Sequence, residues 1–295
     1  MIDRDTIRAA TGHDFDIEPV AAVGDLYSRH ADSILSYAVT ADLLPVLSWN
    51  DRITHVFCAP KLVAEVPRHV QPLACEDPLW AFFALVDYLA GSRDFAQSVV
   101  DPTCRADGSW VAPTGVQVGA DVTLQPFSSV YEATTIGAGT LVRSGAVIGI
   151  DSFQHQRTSK GIISPRHDGD LRIGEKVEIG ANCAISRGFS YRDTIIADEV
   201  KIDANVSISH GVEIGEGSII CAGALILGHS TLGKNVFVGP GATVRNRVKI
   251  EDGARISIGS VVTRDVAAGQ TVTGNFAVPH ENWMSFIKNL TPTDR

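Results

Sequence analysis

The chain of 295 residues is 44% hydrophobic and carries a formal charge of −9, with a pI near 5.4. This is the composition of a folded protein able to bury a core, and it argues against a nucleic-acid binder, whose affinity comes from neutralising phosphates. Cys58, Cys75, Cys104, Cys183 and Cys221 are scattered and include no CxxC pair, so neither a disulfide framework nor a zinc knuckle is suggested and a reducing cytoplasm fits best. The opening "MIDRDTIRAATGHDFDIEPV" is charged throughout and no uncharged apolar run approaches membrane-spanning length, which predicts a soluble cytoplasmic protein without signal peptide or membrane span.

Residues 1–105 carry ordinary α/β signals. "ITHVFCA" reads as a buried strand, and "DPLWAFFALVDYLAG" as an Asp-capped helix with proline near its start and glycine at its end. We take this stretch as a small separate domain, joined to the remainder of the chain by the turn-rich "SVVDPTCRADGSWVAPTG".

Residues 106–275 repeat with a period of six. From Ile196, a large apolar or β-branched residue recurs at 202, 208, 214, 220, 226, 232, 238, 244, 250, 256 and 262; the same period links Val118, Leu124, Val130, Ile136, Val142 and Ile148, and later Ile173, Ile179 and Ile185. It breaks at 149–172, "GIDSFQHQRTSKGIISPRHDGDLR", which reads as an extruded loop, and slips by one residue near Tyr191. Six is neither the helical 3.6 nor the strand period of 2. It suits a three-sided coil in which each hexapeptide makes a short strand and a corner, and about seven stacked coils are expected. The period does not set the hand of the coil. Residues 276–295, with "NFAVPHENWMSFIKNL", read as a short C-terminal helix.

Because one coil takes about eighteen residues, residues that far apart stack on the same side. One edge then carries Tyr191-Arg192-Asp193, Ser209-His210-Gly211, Leu227-Gly228-His229 and Arg245-Asn246-Arg247, whereas the other corners are mostly small or acidic ("ADEV", "GEGS", "CAGA", "GPGA"). A solvated polar rim is the plain reading of such an edge. Bulky hydrogen-bonding residues on successive coils point instead to chemistry, and the imidazole of His210 is the candidate general base. His229 stays open between ligand contact and structure. A zinc site needs three imidazoles and this edge offers two; Cys183 and Cys221 fall at inward or ladder-adjacent positions and read as small core residues.

The runs "RIGEKVEIGANCAISRG", "DTIIADEVKIDANVSISHGVEIGEG" and "GSVVTRDVAAGQTVTGN", behind an N-terminal order of "DSILSYA", "ITHVFCA" and "DPLWAFFALVDYL", resemble the hexapeptide-repeat acyltransferases, in particular the UDP-3-O-acylglucosamine N-acyltransferase family. The resemblance implies a mainly β fold: a left-handed parallel β-helix with a small N-terminal α/β domain, assembled as a homotrimer. It implies acyl transfer from a phosphopantetheine thioester, acyl-CoA or acyl-carrier protein, to the amine of a nucleotide-linked amino sugar in surface polysaccharide or lipopolysaccharide synthesis, with no bound cofactor or metal. His210 would be the catalytic base, with a backbone N–H steadying the oxyanion. Asp203 would orient base or sugar, Tyr37 would lie by the uracil, and Asp193 and His229 would contact the acceptor. Arg247, Gly223 and Gly241 are expected on the donor side, Arg247 within a basic run (Arg245, Arg247, Lys249, Arg255, Arg264) that suits phosphates.

Several positions depart from the family: "GIDSFQHQRTSKG" replaces a Gly-Phe-rich stretch, Gly211 an asparagine and Arg247 a second histidine, and the C-terminal helix is short. They favour a different acceptor, for example a dideoxy amino sugar, and acetyl-CoA or another short donor. His229 after "LILG" also looks like the Gly-His of related O-acyltransferases. Two rival readings are a non-catalytic hexapeptide-repeat assembly subunit and a zinc-dependent hydratase of the carbonic anhydrase type.

Overall fold

The computed structural model describes residues 1–190, 192–274 and 277–290. The small domain opens with α1 (Arg4–Thr11), whose first turn is capped by the Asp3 carboxylate accepting the Thr6 N–H at 2.9 Å. Strands β1 (Ala22–Val23), β2 (Ile34–Ala38), β3 (Ile53–Cys58) and β4 (Gln71–Ala74) form a parallel sheet in the order β1-β2-β3-β4. Helices α2 (Leu44–Trp49) and α3 (Pro78–Gly91) complete it. The "ITHVFC" run is β3, with five of its six residues buried. The α3 start is built as the sequence predicts, Asp77 accepting the Trp80 N–H at 2.8 Å ahead of Pro78. Phe82, Phe83 and Val86 of α3 pack with Ile7, Leu35 and Phe57 into one core; Leu44, Leu47, Ile53 and Val56 build a second.

The rest of the chain winds into a left-handed parallel β-helix of three flat faces, each a sheet of eight short strands among the described residues. Ile208 pairs in register with Ile226, and Ile226 with Val244, so every eighteenth side chain falls in one inward ladder; all three are fully buried. A buried aliphatic residue of this kind contributes about 1.5–3 kcal/mol, and the ladders fill the interior from Ala112 to Val266. Eight rungs exceed the roughly seven expected because Val99–Val100 and Trp110–Val111 add a strand ahead of the regular period on two faces and Thr271–Val272 adds one after it on the other. The prism therefore begins ahead of the 105/106 division.

Two interruptions leave the ladder intact. The chain exits after Val147–Ile150 and returns at Leu171–Ile173; within the excursion Gln156–Thr158 and Gly161–Ile163 form an antiparallel hairpin. Near Tyr191, Ile185 pairs with Ile208, twenty-three residues on rather than eighteen. Five extra residues look like a slip of one in a period of six. They form a short loop, closed by a bridge between Phe189 and Arg192, and not the slipped hexad expected from the sequence; Tyr191 itself lies outside the described residues.

The small domain docks on one edge of the prism. Phe83 and Phe189 stack with ring centroids 6.2 Å apart, Arg166 holds Asp87 through two bonds of 2.9 Å, and Arg247 meets Asp25 at 2.5 Å. Helix α4 (His280–Leu290) follows the last coil with Trp283, Met284 and Phe286 exposed. No helix among the described residues is long and apolar enough to cross a membrane.

Candidate active site

Each coil turns three corners. The one joining the third face (strands such as Ser207–Ile208 and Leu225–Ile226) to the first (such as Glu213–Ile214 and Thr231–Leu232) carries, among the described residues, the excursion at 151–170, the segments 187–190 and 192–193, and the corners holding His210, His229 and Arg247. Gly211, His229 and Arg247 occupy equivalent places in successive coils and share the left-handed backbone, with φ of 64°, 61° and 63°. Only glycine adopts it without cost, and for His229 and Arg247 it costs on the order of 1 kcal/mol each; the same corner conformation recurs on the other edges, as at Lys176, Asn182, Glu199 and Asn205, and so belongs to the coil rather than to this edge. The coils are tied together by His229 N–H donating to the His210 carbonyl at 2.9 Å and Arg247 N–H to that of Gly228 at 3.1 Å.

The His210 ring is held on all sides. Its Nδ1 lies 2.5 Å from Ser152 Oγ, and its centroid lies 4.8 Å from His229, 5.5 Å from His167 and 5.7 Å from Phe189. Nε2 faces Gly228, where an added Cβ would come within 2.7 Å of it. Likewise a Cβ on Gly211 would run into His229 Nδ1; the side chain of His229 lies where one at 211 would stand. The two glycines are the clearance that lets two imidazoles stack along the edge.

Burial, reinforced by the charge of Arg247, pushes the His210 pKa down to about 4. His229 is pushed down to about 2 by burial and by His210 and the neighbouring arginines. His167 falls to about 4 through burial, which outweighs the opposing pull of Asp151. All three rings are neutral at pH 7, and neutral imidazole is the form that accepts a proton.

Two cavities flank the edge. One, of about 490 Å³, lies between the small domain and the prism and is lined by His30, Asp168, Arg192 and Asp193 among others. The second, of about 420 Å³, is lined by Tyr27, Arg192, His229, Thr231, Arg247 and Lys249. Arg192 spans both: it donates to the His229 carbonyl at 3.2 Å and to Thr231 Oγ1 at 3.1 Å, and pairs with Glu213 at 3.1 Å.

The residues singled out in the sequence divide into three groups. His210, His229 and Arg247 come together as the stacking predicts, and Asp193 lines the larger cavity, held by the Asp170 N–H at 2.9 Å and Arg172 at 2.8 Å. Asp203, Gly223 and Gly241 lie on a different edge, between the second and third faces, where Asp203 adjoins a cavity with Arg143, Lys201 and Cys221. Within one chain they do not reach His210. Tyr37 packs inside the small domain, 4.6 Å from Phe82 and 5.7 Å from Phe83. The sequence reading missed Ser152, His167 and Phe189, which the two loops bring to the edge. His167 adds a third imidazole, yet its Nε2 and His210 Nδ1 both converge on the Ser152 hydroxyl. No group of three His, Cys, Asp or Glu among the described residues is arranged to hold a metal ion.

Residues 193–228 and 229–264 match the bacterial transferase hexapeptide family (six repeats), and 170–210 the hexapeptide repeat of succinyl-transferase. The UDP-3-O-acylglucosamine N-acyltransferase of Hahella chejuensis is 32% identical over 173 residues, 58% of this chain and 49% of that protein. A probable mitochondrial UDP-3-O-acylglucosamine N-acyltransferase 2 of Arabidopsis thaliana is 36% identical over 52% of this chain and 50% of its own length. The chain thus spans about half the length of these two relatives. With the UDP-3-O-acylglucosamine N-acyltransferase of Helicobacter hepaticus the likeness is 30% over 266 residues, 80% of this chain and 78% of the relative. Among solved structures, the UDP-N-acetylglucosamine acyltransferase of Campylobacter jejuni superposes with a TM-score of 0.53 at 21% identity, over 68% of this chain and 84% of that one, a likeness of fold. The extent of the Helicobacter match, too long to lie within the prism alone, places the chain in the hexapeptide-repeat acyltransferase family that includes the UDP-3-O-acylglucosamine N-acyltransferases.

Proposed function

We propose that this protein transfers an acyl group from a phosphopantetheine thioester to the amine of a nucleotide-linked amino sugar, with His210 as general base. The observation that carries the reading is the His210 ring itself: neutral, fixed at Nδ1, and turned so that Nε2 faces the backbone of Gly228. In this mechanism the acceptor amine attacks the thioester carbonyl and the N–C bond forms as Nε2 takes the amine proton. The Gly228 N–H, which donates no hydrogen bond among the described residues, is the donor we assign to the oxyanion. The C–S bond then breaks, the thiolate takes the proton from Nε2, and the neutral imidazole is restored.

The cavity beside His229 suits the nucleotide end of the acceptor. Arg192, Arg247 and Lys249 line it, paired with Glu213, Asp25 and Glu251 until a diphosphate takes the place of those carboxylates, and Tyr27 gives an aromatic face; this reading moves Arg247 from the donor side expected from the resemblance to the acceptor side. We further infer assembly as a homotrimer, the expectation that accounts for the split of the candidate residues. Asp203, Gly223 and Gly241 join His210 only when the edge of a second copy is brought against it, and exposed Leu225, Val261 and Ile219 on the outer faces give such packing an apolar surface. The donor we expect is acetyl-CoA or another short acyl-CoA rather than an acyl-carrier protein, in a cytoplasmic setting that keeps the five free thiols reduced.

The test is a thiol-release assay with acetyl-CoA, longer acyl-CoAs and acyl-carrier donors against a panel of nucleotide amino sugars, with the product amide identified by mass. Turnover that requires a nucleotide amino sugar supports the reading. Absence of transfer from every donor, or transfer to hydroxyl acceptors alone, overturns it.

A further inference from the structure

The excursion between Ile150 and Leu171 returns three side chains to the catalytic edge. Ser152 N–H donates to His167 Nε2 at 3.2 Å, so that nitrogen carries a lone pair and the proton of His167 sits on Nδ1. This Nδ1 is fully buried, faces Asp151 Oδ1 at 3.8 Å and has no hydrogen-bond partner among the described residues. Ser152 Oγ lies 3.0 Å from the same His167 Nε2 and 2.5 Å from His210 Nδ1. If the hydroxyl proton pointed at His210, two lone pairs would oppose each other across the 3.0 Å gap to His167. The arrangement that satisfies both contacts has Ser152 O–H donating to His167 Nε2 and His210 Nδ1–H donating to Ser152 Oγ.

We infer that Ser152, backed by His167, forms a relay that fixes His210 with its proton on Nδ1 and its lone pair on Nε2, facing Gly228. Ser152 and His167 are positioning residues, and their role rests on the acyl-transfer reading. Without Ser152 the His210 ring distributes between two tautomers, and the one protonated on Nε2 cannot accept a proton from the amine. The segment carrying His167 is anchored at Asp151, whose carboxylate accepts from Arg187 Nε at 2.7 Å and from the His167 backbone N–H at 3.3 Å. The excursion that carries it is in turn tied to the small domain, Arg166 to Asp87 and the Ser159 N–H to Asp77 at 2.6 Å. The competence of His210 therefore depends on how this loop is docked, a dependence no local sequence pattern reveals.

The tautomer is read directly by two-bond ¹H–¹⁵N correlation spectra of ¹⁵N-histidine-labelled protein at pH 7, which need no substrate. Wild type is expected to show His210 protonated on Nδ1 alone. Ser152→Ala is expected to move that signal toward a mixture and to lower kcat by about tenfold to a hundredfold with KM little changed, whereas Ser152→Thr, which keeps the hydroxyl, restores both. A His210 signal already mixed in wild type, or one unchanged in a folded Ser152→Ala protein, overturns the relay. If the spectra behave as expected but no thioester is turned over, the relay stands and the acyl-transfer reading fails.

Discussion

Gly228→Ala is the most discriminating single substitution. The new Cβ would sit 2.7 Å from His210 Nε2, 3.0 Å from Cε1 and 3.1 Å from Cδ2, against an optimal non-bonded separation of roughly 3.5–4.0 Å. The ring would have to retreat by about 1 Å. It has nowhere to go without loss, because Ser152 Oγ holds Nδ1 at 2.5 Å and the rings of Phe189 and His167 stand beside it. Displacement of about 1 Å at a reacting group costs on the order of a hundredfold in rate. Gly228 does not adopt the left-handed backbone, so alanine fits its main chain, and a destabilisation of about 1 kcal/mol would lower Tm by only about 2–4 °C. Steady-state kinetics by thiol release should therefore show kcat down about a hundredfold with KM for the nucleotide sugar within a few fold. A folded Gly228→Ala protein with wild-type kcat would refute the placement of Nε2 at the reacting centre.

Other consequences follow from the same geometry. His167, His210 and His229 have folded-state pKa values below the ordinary value of 6.5; in the unfolded chain they take up protons below that pH, so stability is fully present above about 6.5 and is lost as pH falls toward 4. At about 1.4 kcal/mol per unit, scanning fluorimetry should find Tm lower by on the order of 10 °C at pH 5 than at pH 7.5, with a shallower slope in His229→Asn; a flat profile would mean that the rings are not buried neutral. Arg247→Ala removes the ion pair with Asp25 and the contact with the Tyr27 ring, and KM for the nucleotide sugar should rise about tenfold, the effect of losing a charge-assisted bond, while kcat holds. An unchanged KM would put the diphosphate elsewhere. Dialysis against a chelator should leave turnover intact, and loss of activity restored by zinc would favour the hydratase reading.

Much of the prism is legible because its stabilising contacts recur at a fixed spacing. The Ile208, Ile226 and Val244 ladder is visible as a period, and the period alone stacks His210, His229 and Arg247 on one edge. In the small domain, β3 and α3 are readable because one is rich in β-branched and aromatic residues and the other has Asp77 and Pro78 at its start. Strand β1, two residues long, carries no pattern to read. The relay was hidden for a different reason: Ser152 bonds His210 across 58 residues, and such a contact is set by how a loop folds back rather than by spacing. One clue was present. Ile148, Ile185 and Ile208 share a ladder, so the chain after Ile148 leaves the prism at the His210 corner, and polar side chains of that excursion were placed to return to it. The split of Asp203, Gly223 and Gly241 from His210 was readable in the same way, since they lie six or twelve residues out of phase with the catalytic corner.

The central claim is that one imidazole accepts the proton of the attacking amine. Its most direct measurement compares kcat/KM of His210→Ala and wild type with the donor and acceptor the panel selects, on proteins of matched melting behaviour and oligomeric state. A fall of about a thousandfold, within the range for loss of a general base, is predicted; a folded His210→Ala protein that turns over thioester as fast as wild type would contradict it.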